Sequence, residues 1–305
     1  MKLSKILQLC NEYGFKTTFP VVLASSSKSA SNLQHRAVLK YLRRKYAYVI
    51  EKYKSQKPEH KISQNMPLWS MWWQGEDNAP EIVKLCFARM REYSGNHELR
   101  IITRENFRDY VSLPDYVFEK VRAKKMTLNA MANILREYLL VKHGGLWMDS
   151  TIYVANQIPE DIFTREFYTI RRELNTQDKN IAHGRWSTFL QAAQAGNILC
   201  EFLLEFLLEY WRNQENLLVY FLFDYAFEIA YNDLPLCREI LDSVPLNNPN
   251  VYELEKLMQS GHDSEFANLL SEPENVFFKL SWKNSYSNLS NVSGKAFLSV
   301  QTPRT

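Results

Sequence analysis

The chain has 305 residues, 46% hydrophobic and 23% charged, which are proportions of a folded globular protein and exclude disorder throughout. Its four cysteines lie far apart and form no Cys-x-x-Cys pair, which argues against a zinc finger or a thioredoxin-like motif. The net charge of +3 hides an asymmetry, because the first 61 residues carry a net charge of +10 and leave −7 for the rest.

Residues 1–62 are predicted to form a basic helical extension. Apolar residues recur at helical spacing over about 3–13 and 29–54, and the polar stretch 54–64 is typical of a linker. The positive charge suits the headgroups of an anionic membrane, although nucleic acid or a merely solvated helix face would also account for it. Nucleic acid is disfavoured, because the extension has no recognised binding motif and the remainder is acidic.

The apolar stretches also bear on location. The opening residues lack the apolar core of a secretion signal, and the longest apolar runs fall well short of the roughly 20 residues that span a bilayer. We therefore expect a cytoplasmic protein, peripheral at the inner face of the plasma membrane if the extension binds lipid.

From residue 63 to residue 305 the pattern predicts one α/β domain. An apolar strand at Pro67–Trp73, a helix opened by Pro80 and a strand at Leu99–Thr103 indicate a parallel sheet with packed helices. The elements predicted after these are a helix at about 127–142, strands at about 146–148, 167–170 and 187–192, a helical insertion at about 198–270, and a final strand at 276–282.

The stretch MTLNAMANILREYLLVKHGGLWMDSTIYV, Met126–Val154, carries the most specific signal. A helix leads through two glycines into a short strand that stops at Asp149. Ligands of open α/β sheets bind beyond the carboxyl ends of strands, and a carboxylate there suits a divalent cation that holds a diphosphate. Alternatively, Asp149 caps a turn in which Ser150 and Thr151 make local hydrogen bonds.

This stretch resembles the DXD-containing sugar-binding region of capsular polysaccharide synthesis proteins and of their relatives, the family 32 glycosyltransferases. The segments that carry the resemblance are Ala132-Asn-Ile-Leu-Arg-Glu137 and Gly144-Gly-Leu-Trp-Met-Asp-Ser-Thr151, with further blocks that start at Pro67 (PLWSMWWQGEDNAPEIVKLC), Gly184 (GRWSTFLQAAQAGN), Tyr220 (YFLFDY) and Phe278 (FKLSWK). The resemblance implies a GT-A-like nucleotide-sugar-binding domain with a mixed, mainly parallel sheet and additional N-terminal and C-terminal helices.

Two positions depart from the family 32 pattern. Thr151 stands where the second acid of D-x-D is expected, so the implied Mn²⁺ or Mg²⁺ at Asp149 loses a charged ligand. Asn133 stands where relatives carry Asp; its amide can hydrogen-bond a sugar hydroxyl but has no charge. A different sugar, an altered pose or a loss of activity would follow.

The resemblance also implies donor-binding roles. Trp73 would stack on the nucleotide base, Arg136 would hold hydroxyls or phosphate with its forked guanidinium, and Lys283 would stabilise the leaving diphosphate. In the ordinary alternatives, these side chains are a core Trp, a helix-surface charge and an exposed Lys. The full donor-binding set is Trp73, Gln74, Asn133, Arg136, Gly144, Gly145, Ser150, Thr151 and Trp282, and the catalytic set is Asp149, Asp224 and Lys283.

Asp224 lies inside the apolar run FLFDY, where a carboxylate is expensive unless it is paired or functional. We interpret it as the acid that orients the acceptor or supports an oxocarbenium-like centre, with a structural ion pair as the alternative. His183, Arg185 and Trp186 precede a strand and are assigned to the acceptor side.

Together these features predict a hexosyltransferase-like enzyme of bacterial capsular polysaccharide biosynthesis. It would move a sugar from a nucleotide-sugar donor, a UDP-sugar, to a glycan or lipid-linked acceptor, with retention of anomeric configuration as in family 32. The alternative is a catalytically weak sugar-nucleotide-binding subunit of a capsule assembly complex, because Thr151 and Asn133 both replace acids.

Overall fold

The computed structural model describes residues 3–24, 27–56, 66–260 and 268–284. The α-helices in these ranges include α1 (Leu3–Tyr13), α2 (Phe15–Leu23), α3 (Lys28–Lys45), α4 (Ala47–Lys54), α5 (Glu81–Glu92), α6 (Phe107–Tyr110), α7 (Asp115–Arg122), α8 (Leu128–His143), α9 (Asp161–Thr164), α10 (Ile198–Asn213), α11 (Leu222–Asp233), α12 (Pro235–Asp242) and α13 (Glu253–Ser260). The strands are β1 (Leu68–Met71), β2 (Leu99–Ile102), β3 (Gly145–Met148), β4 (Ile152–Val154), β5 (Phe167–Thr169), β6 (Leu190–Ala193) and β7 (Phe277–Lys279).

Five of these strands form the central sheet, in the order β2-β1-β3-β6-β5. Strand β1 pairs in parallel with β2 and β3, whereas β6 is antiparallel to both of its neighbours. Four of the five strands therefore run in one direction, which confirms the predicted α/β fold with a mixed, mainly parallel sheet. The carboxyl ends of β1, β2 and β3 lie at one edge, where open α/β sheets bind ligands.

A second, two-stranded sheet pairs β4 with β7 in antiparallel register, with Ile152 opposite Lys279. The backbone N–H of Leu280 extends this pairing by donating to the carbonyl of Thr151 at 2.9 Å. Strand β4 is too short to show a period in the sequence. The pairing brings the C-terminal strand against the residues that follow β3.

The helix predicted at 29–54 is two helices, α3 and α4, with a break at Tyr46 (φ −112°, ψ 26°). The Tyr46 ring is buried against Phe206 at a centroid distance of 5.1 Å, and its hydroxyl accepts a hydrogen bond from Gln214 at 3.1 Å. These tertiary contacts outweigh the helical propensity of the segment.

The N-terminal extension is packed against the rest of the chain. Val38, Leu42 and Tyr46 are fully buried, α3 contacts α11, and α4 contacts both α10 and α11. At the start of the chain, the Tyr13 and Tyr210 hydroxyls lie 2.8 Å apart. The linker predicted at 54–64 falls mainly outside the described residues, which stop at 56 and resume at 66.

Helices α10 to α13 occupy the region predicted as a helical insertion, and α10 packs along α8. The Asn197 side chain caps α10 by accepting from the backbone N–H groups of Leu199 and Cys200. Across the described ranges, no helix combines the length and apolar character that a membrane crossing requires.

Candidate functional site

Asp149 directly follows β3, at the carboxyl edge of the central sheet. Its Oδ1 accepts hydrogen bonds from Trp147 Nε1 and Arg136 Nη2, each at 3.0 Å. Its Oδ2 lies 3.6 Å from Lys279 Nζ. Its backbone N–H donates to the carbonyl of Phe189 at 2.9 Å. The carboxylate therefore faces two cations that come from α8 and β7.

The contacts of Asp149 decide between the two interpretations of the D-S-T segment. A turn does form, since the backbone N–H of Ile152 donates to the Asp149 carbonyl at 2.9 Å. The described hydrogen bonds of the carboxylate, however, come from outside the turn, and the Thr151 hydroxyl accepts from Lys279 Nζ. The described hydrogen bonds of the Asp149 and Thr151 side chains therefore do not cap the turn.

The charge balance of this group is positive. Burial alone would raise the pKa of Asp149, but Lys279 and Arg136 outweigh burial and hold the pKa below its ordinary value. Asp149 is consequently ionised at neutral pH. One carboxylate and two cations leave a net charge of about +1 at this edge of the sheet.

Arg136 is buried, so its interpretation as an ordinary helix-surface charge is wrong. Its guanidinium lies between the rings of Trp147 and Phe223, at 5.1 and 5.3 Å from their centroids, and Nη1 donates to Asn133 Oδ1 at 2.9 Å. Its Nε has no hydrogen-bond partner among the described residues. The side chain is thus held in the site, and its buried Nε–H donor is not used by the described residues.

Lys279 is the lysine at the site, and sequence reasoning missed it in favour of Lys283. Both belong to the block FKLSWK, and only the register of β7 against β4 distinguishes them. Lys283 is exposed, with its Nζ 5.9 Å from the ring centroid of Trp282. The role predicted for Lys283 stays a prediction, because the structure describes no contact between Lys283 and Asp149.

Three predicted donor residues lie near the carboxyl end of β1 or after β7. Trp73 is half-buried, with its ring 5.3 Å from that of Phe107, so it is not a closed core residue. Trp282 is 48% exposed and meets Trp72 edge-on at 5.9 Å, which joins the segment after β7 to the end of β1. Gln74 is exposed.

Gly144 precedes β3 and Gly145 begins it, about 13 Å along the strand from Asp149, four residues at about 3.3 Å each. Gly144 ends α8 with a positive φ of 66°. A Cβ on Gly145, whose φ is 113°, would lie 2.3 Å from the Pro67 carbonyl oxygen. Both glycines are therefore required by the backbone, and their contact with the donor stays a prediction. Ser150 is half-buried in the turn beside Asp149.

A cavity of about 600 Å³ is lined in part by Phe189, whose backbone carbonyl accepts from the N–H of Asp149. It is bordered by α3, by the loop after β5, by α11 and by Tyr252. Its lining residues are Gln34, His35, Arg172, Asp178, Lys179, Asn180, Ile181, Ala182, Gly184, Trp186, Ser187, Thr188, Phe189, Phe221, Asp224, Tyr225 and Tyr252.

Asp224 is buried in the wall of this cavity. Its Oδ1 accepts a hydrogen bond from Trp186 Nε1 at 3.2 Å, and burial raises its pKa to about 7 despite that bond and the charge of Arg136. Within the described residues, Asp224 has no ion-pair partner. The structural ion pair, which was the alternative account of this carboxylate, is therefore not seen.

Of the three predicted acceptor residues, only Trp186 lines the cavity. Arg185 points elsewhere: its guanidinium pairs with Glu228 and donates to the Ile181 carbonyl at 2.7 Å. His183 has a positive φ of 51°, with its Nδ1 3.2 Å from the Asn175 carbonyl. The acceptor assignments of Arg185 and His183 therefore have no support from the cavity.

Three other residues of the cavity wall carry no functional signal in the sequence: Arg172, Gln34 and His35. Arg172 lies over the Tyr252 ring at 5.0 Å, and its buried Nε has no described hydrogen-bond partner. Gln34 and His35, on α3, both hydrogen-bond the Tyr225 hydroxyl, at 2.7 and 2.8 Å. Gln34 and His35 belong to the predicted N-terminal extension, and only the docking of α3 on the rest of the chain brings them to the cavity.

The residues around Asp149 do not fit a divalent cation. Such ions need several oxygen ligands, and the described part of the chain holds no group of three or more His, Cys, Asp or Glu that could hold a metal. Both carboxylate oxygens of Asp149 already face cationic nitrogen atoms. A divalent ion at this position would be repelled by Arg136 and Lys279.

Comparison with known proteins gives a family match over most of the chain. The model of the family described as capsular polysaccharide synthesis protein matches residues 20–299. No curated protein matches the chain. A solved structure titled "PaToxG Glycosyltransferase" aligns with a TM-score of 0.40 and 14% identity, over 88% of this chain and 97% of that one, a similarity too low to carry an argument.

Proposed function

Since the chain belongs to the capsular polysaccharide synthesis protein family, we propose that it is a glycosyltransferase with a GT-A-like nucleotide-sugar-binding domain. The observation that carries the proposal is the cationic group around Asp149, at the ligand-binding edge of the sheet and beside a cavity of about 600 Å³. An anion site next to a cavity of ligand size suits a donor diphosphate and its sugar.

The donor is a nucleotide-sugar, and a UDP-sugar is the expectation from family 32. Trp73 is half-exposed close to the end of β1, where its ring can stack on the base. Arg136 and Lys279 supply positive charge for the diphosphate. Asn133 keeps its amide NH₂ for a sugar hydroxyl, because its Oδ1 is engaged by Arg136.

The acceptor hydroxyl would enter through the cavity that contains Asp224. It attacks the anomeric carbon, a new C–O bond forms, and the bond from that carbon to the diphosphate oxygen breaks, so that the diphosphate leaves with the electron pair. With a pKa of about 7, the Asp224 carboxyl is substantially ionised at neutral pH and can take the acceptor proton. Retention remains the expectation from family 32.

The acceptor is a glycan or a lipid-linked glycan, and the protein works at the inner face of a bacterial plasma membrane. Support for the membrane comes from α2, where Phe15 and Phe19 are 65% and 46% exposed and stack on each other at 5.1 Å. The exposed Lys16 lies between them in sequence. Exposed aromatic rings beside basic side chains suit the interface of an anionic bilayer.

A catalytically weak sugar-nucleotide-binding subunit is the second candidate. It is favoured by Asn133, which replaces an acid and spends its carbonyl oxygen on Arg136 instead of on a sugar hydroxyl. Such a subunit would bind a sugar nucleotide without turning it over. Donor turnover, with water or a glycan as acceptor, separates the two candidates.

The test is a thermal-shift screen of UDP-, GDP-, CMP- and dTDP-sugars, followed by turnover measurements with the best binder. At least one sugar nucleotide should raise the melting temperature, because a ligand that binds only the native state stabilises it. Asp149→Asn should lower turnover by about 100-fold or more, the scale of losing one positioned electrostatic group.

Asp161→Asn is the matched control for Asp149→Asn, since Asp161 is an exposed aspartate paired with Arg165. It should keep wild-type turnover. If no sugar nucleotide shifts the melting temperature, or if Asp149→Asn turns over like wild type, the proposed function or its site is wrong.

A further inference from the structure

The ammonium group of Lys279 lies between the two positions that correspond to the D-x-D acids. Its Nζ donates to the Thr151 hydroxyl and lies 3.6 Å from Asp149 Oδ2. The β4–β7 register sets this position, because Lys279 pairs with Ile152, the residue after Thr151. The fold therefore places the Lys279 ammonium group between the Thr151 hydroxyl and the Asp149 carboxylate.

Lys279 is also able to reach a ligand. Its side chain is 25% exposed and that of Asp149 is 32% exposed, whereas the Arg136 side chain is only 4% exposed. Both members of the Lys279–Asp149 pair are therefore partly open to solvent, so a ligand at this edge of the sheet can reach the ammonium group. One of its three donor hydrogens is given to the Thr151 hydroxyl, and Asp149 Oδ2, at 3.6 Å, is an ion-pair partner beyond hydrogen-bond distance, which leaves donors for a phosphate oxygen.

The second cation orients this arrangement. Arg136 and Trp147 both bond Oδ1 of Asp149, so Oδ2 is directed at Lys279. In this geometry Asp149 orients the ammonium group of Lys279. The negative charge of Asp149 is balanced by the positive charge of Arg136. The remaining positive charge belongs to the partly exposed lysine.

We propose that the Lys279 ammonium takes the place of a divalent cation, so that the protein binds the diphosphate of its donor without a metal. This inference rests on the proposed function, because it names the group that holds the donor. Lys279 contacts the diphosphate in the complex and stabilises the charge that develops as it leaves. Asp149 and Thr151 are positioning residues that aim Lys279.

The experiment measures UDP binding by isothermal titration calorimetry, in EDTA and in Mn²⁺, with inorganic pyrophosphate as a second probe that lacks the base. The affinity of the wild type should agree within about twofold between the two buffers. Lys279→Met should weaken binding by about tenfold or more in both, the scale of one hydrogen bond to a charged group.

Two further variants make the result specific to the charge at this position. Lys279→Arg keeps the charge and should recover most of the lost affinity. Lys256→Met makes the same change on α13, which packs against β7, at a side chain that is 67% exposed, and it should bind like wild type. Melting temperatures of all three variants check that each has folded.

Wild-type binding that is about tenfold tighter in Mn²⁺ than in EDTA would overturn the inference. So would a folded Lys279→Met variant with wild-type affinity. Either result leaves the proposed function standing. If neither UDP nor pyrophosphate binds the wild type in either buffer, the proposed function fails together with the inference.

Discussion

The pKa of the Asp224 carboxyl group is determined mainly by its burial. Burial raises its pKa to about 7, whereas an Asp in an unfolded chain titrates near about 3.9. Between these two pH values the native state binds more protons at Asp224 than the unfolded state does. The free energy of unfolding therefore falls as pH rises from about 4 to about 7.

Asp224→Asn should remove this part of the pH dependence. The amide keeps an oxygen that can accept from Trp186, but it does not titrate, so the variant should gain stability relative to wild type as pH rises from about 4 to about 7. Its single-turnover rate should drop by about 100-fold. Urea unfolding at several pH values, with turnover on the same preparation, measures both.

If the variant showed the wild-type pH dependence of the free energy of unfolding and the wild-type turnover rate, burial of Asp224 would not lower stability and Asp224 would not be catalytic. Asp161→Asn, at an exposed aspartate, is the control for loss of a carboxylate as such.

At Gly145, β3 lies close to the backbone of Pro67, the residue that precedes β1. Gly145→Ala should lower the free energy of unfolding by about 2–6 kcal/mol, because a positive φ and a crowded site each cost about 1–3 kcal/mol. Gly14→Ala is the matched control: its φ is 78°, but nothing lies within 4 Å of the added Cβ. Urea unfolding compares the two, and equal losses would refute the crowding account.

At the scale of elements, α2 presents an aromatic face that the described part of the chain leaves exposed. Phe15 and Phe19 lie one helical turn apart, and the 5.1 Å stacking joins them into one apolar patch. Burying this patch in a bilayer interface would add to the attraction between basic residues and anionic lipid.

The double variant Phe15→Ser, Phe19→Ser should bind anionic vesicles at least about tenfold more weakly, since each ring contributes about 1.5–3 kcal/mol when fully buried and less at an interface. Its melting temperature should change little, because both rings are exposed. Leu246→Ser, at another exposed apolar residue, is the control. Vesicle co-sedimentation that is equal for all three proteins would refute the membrane role of α2.

At the scale of the whole molecule, the N-terminal helices are part of the folded body. Deleting residues 1–55 should abolish cooperative folding, although the charge pattern suggests an extension that could be removed without loss of nucleotide binding. Val38, Leu42 and Tyr46 alone represent about 5–9 kcal/mol of buried side chain, against a typical total stability of about 5–15 kcal/mol. Thermal unfolding followed by circular dichroism measures the effect.

A truncated chain that unfolds cooperatively at the wild-type temperature would contradict this packing. Lys40→Glu with Arg44→Glu is the companion test for charge, since both side chains are exposed on α3. That variant should fold normally and bind anionic vesicles more weakly.

The sequence by itself determined the main succession of strands and helices along the chain and the position of Asp149 at the end of a strand. It could do so because these features depend on local signals: apolar runs, helical periodicity, and glycines that end a helix before a strand. The short strand β4 and the break at Tyr46 left no such signal, since pairing and burial of distant residues decide them.

Only the tertiary structure decided which charges meet at the site. Lys279 and Lys283 are equivalent in sequence, and the β4–β7 register selects Lys279. Likewise, α3 reaches the cavity of Asp224 only because it docks on α11, which is far from it in the chain. The energy of a charge or a buried ring depends on what surrounds it, and those surroundings come from residues that no local pattern connects.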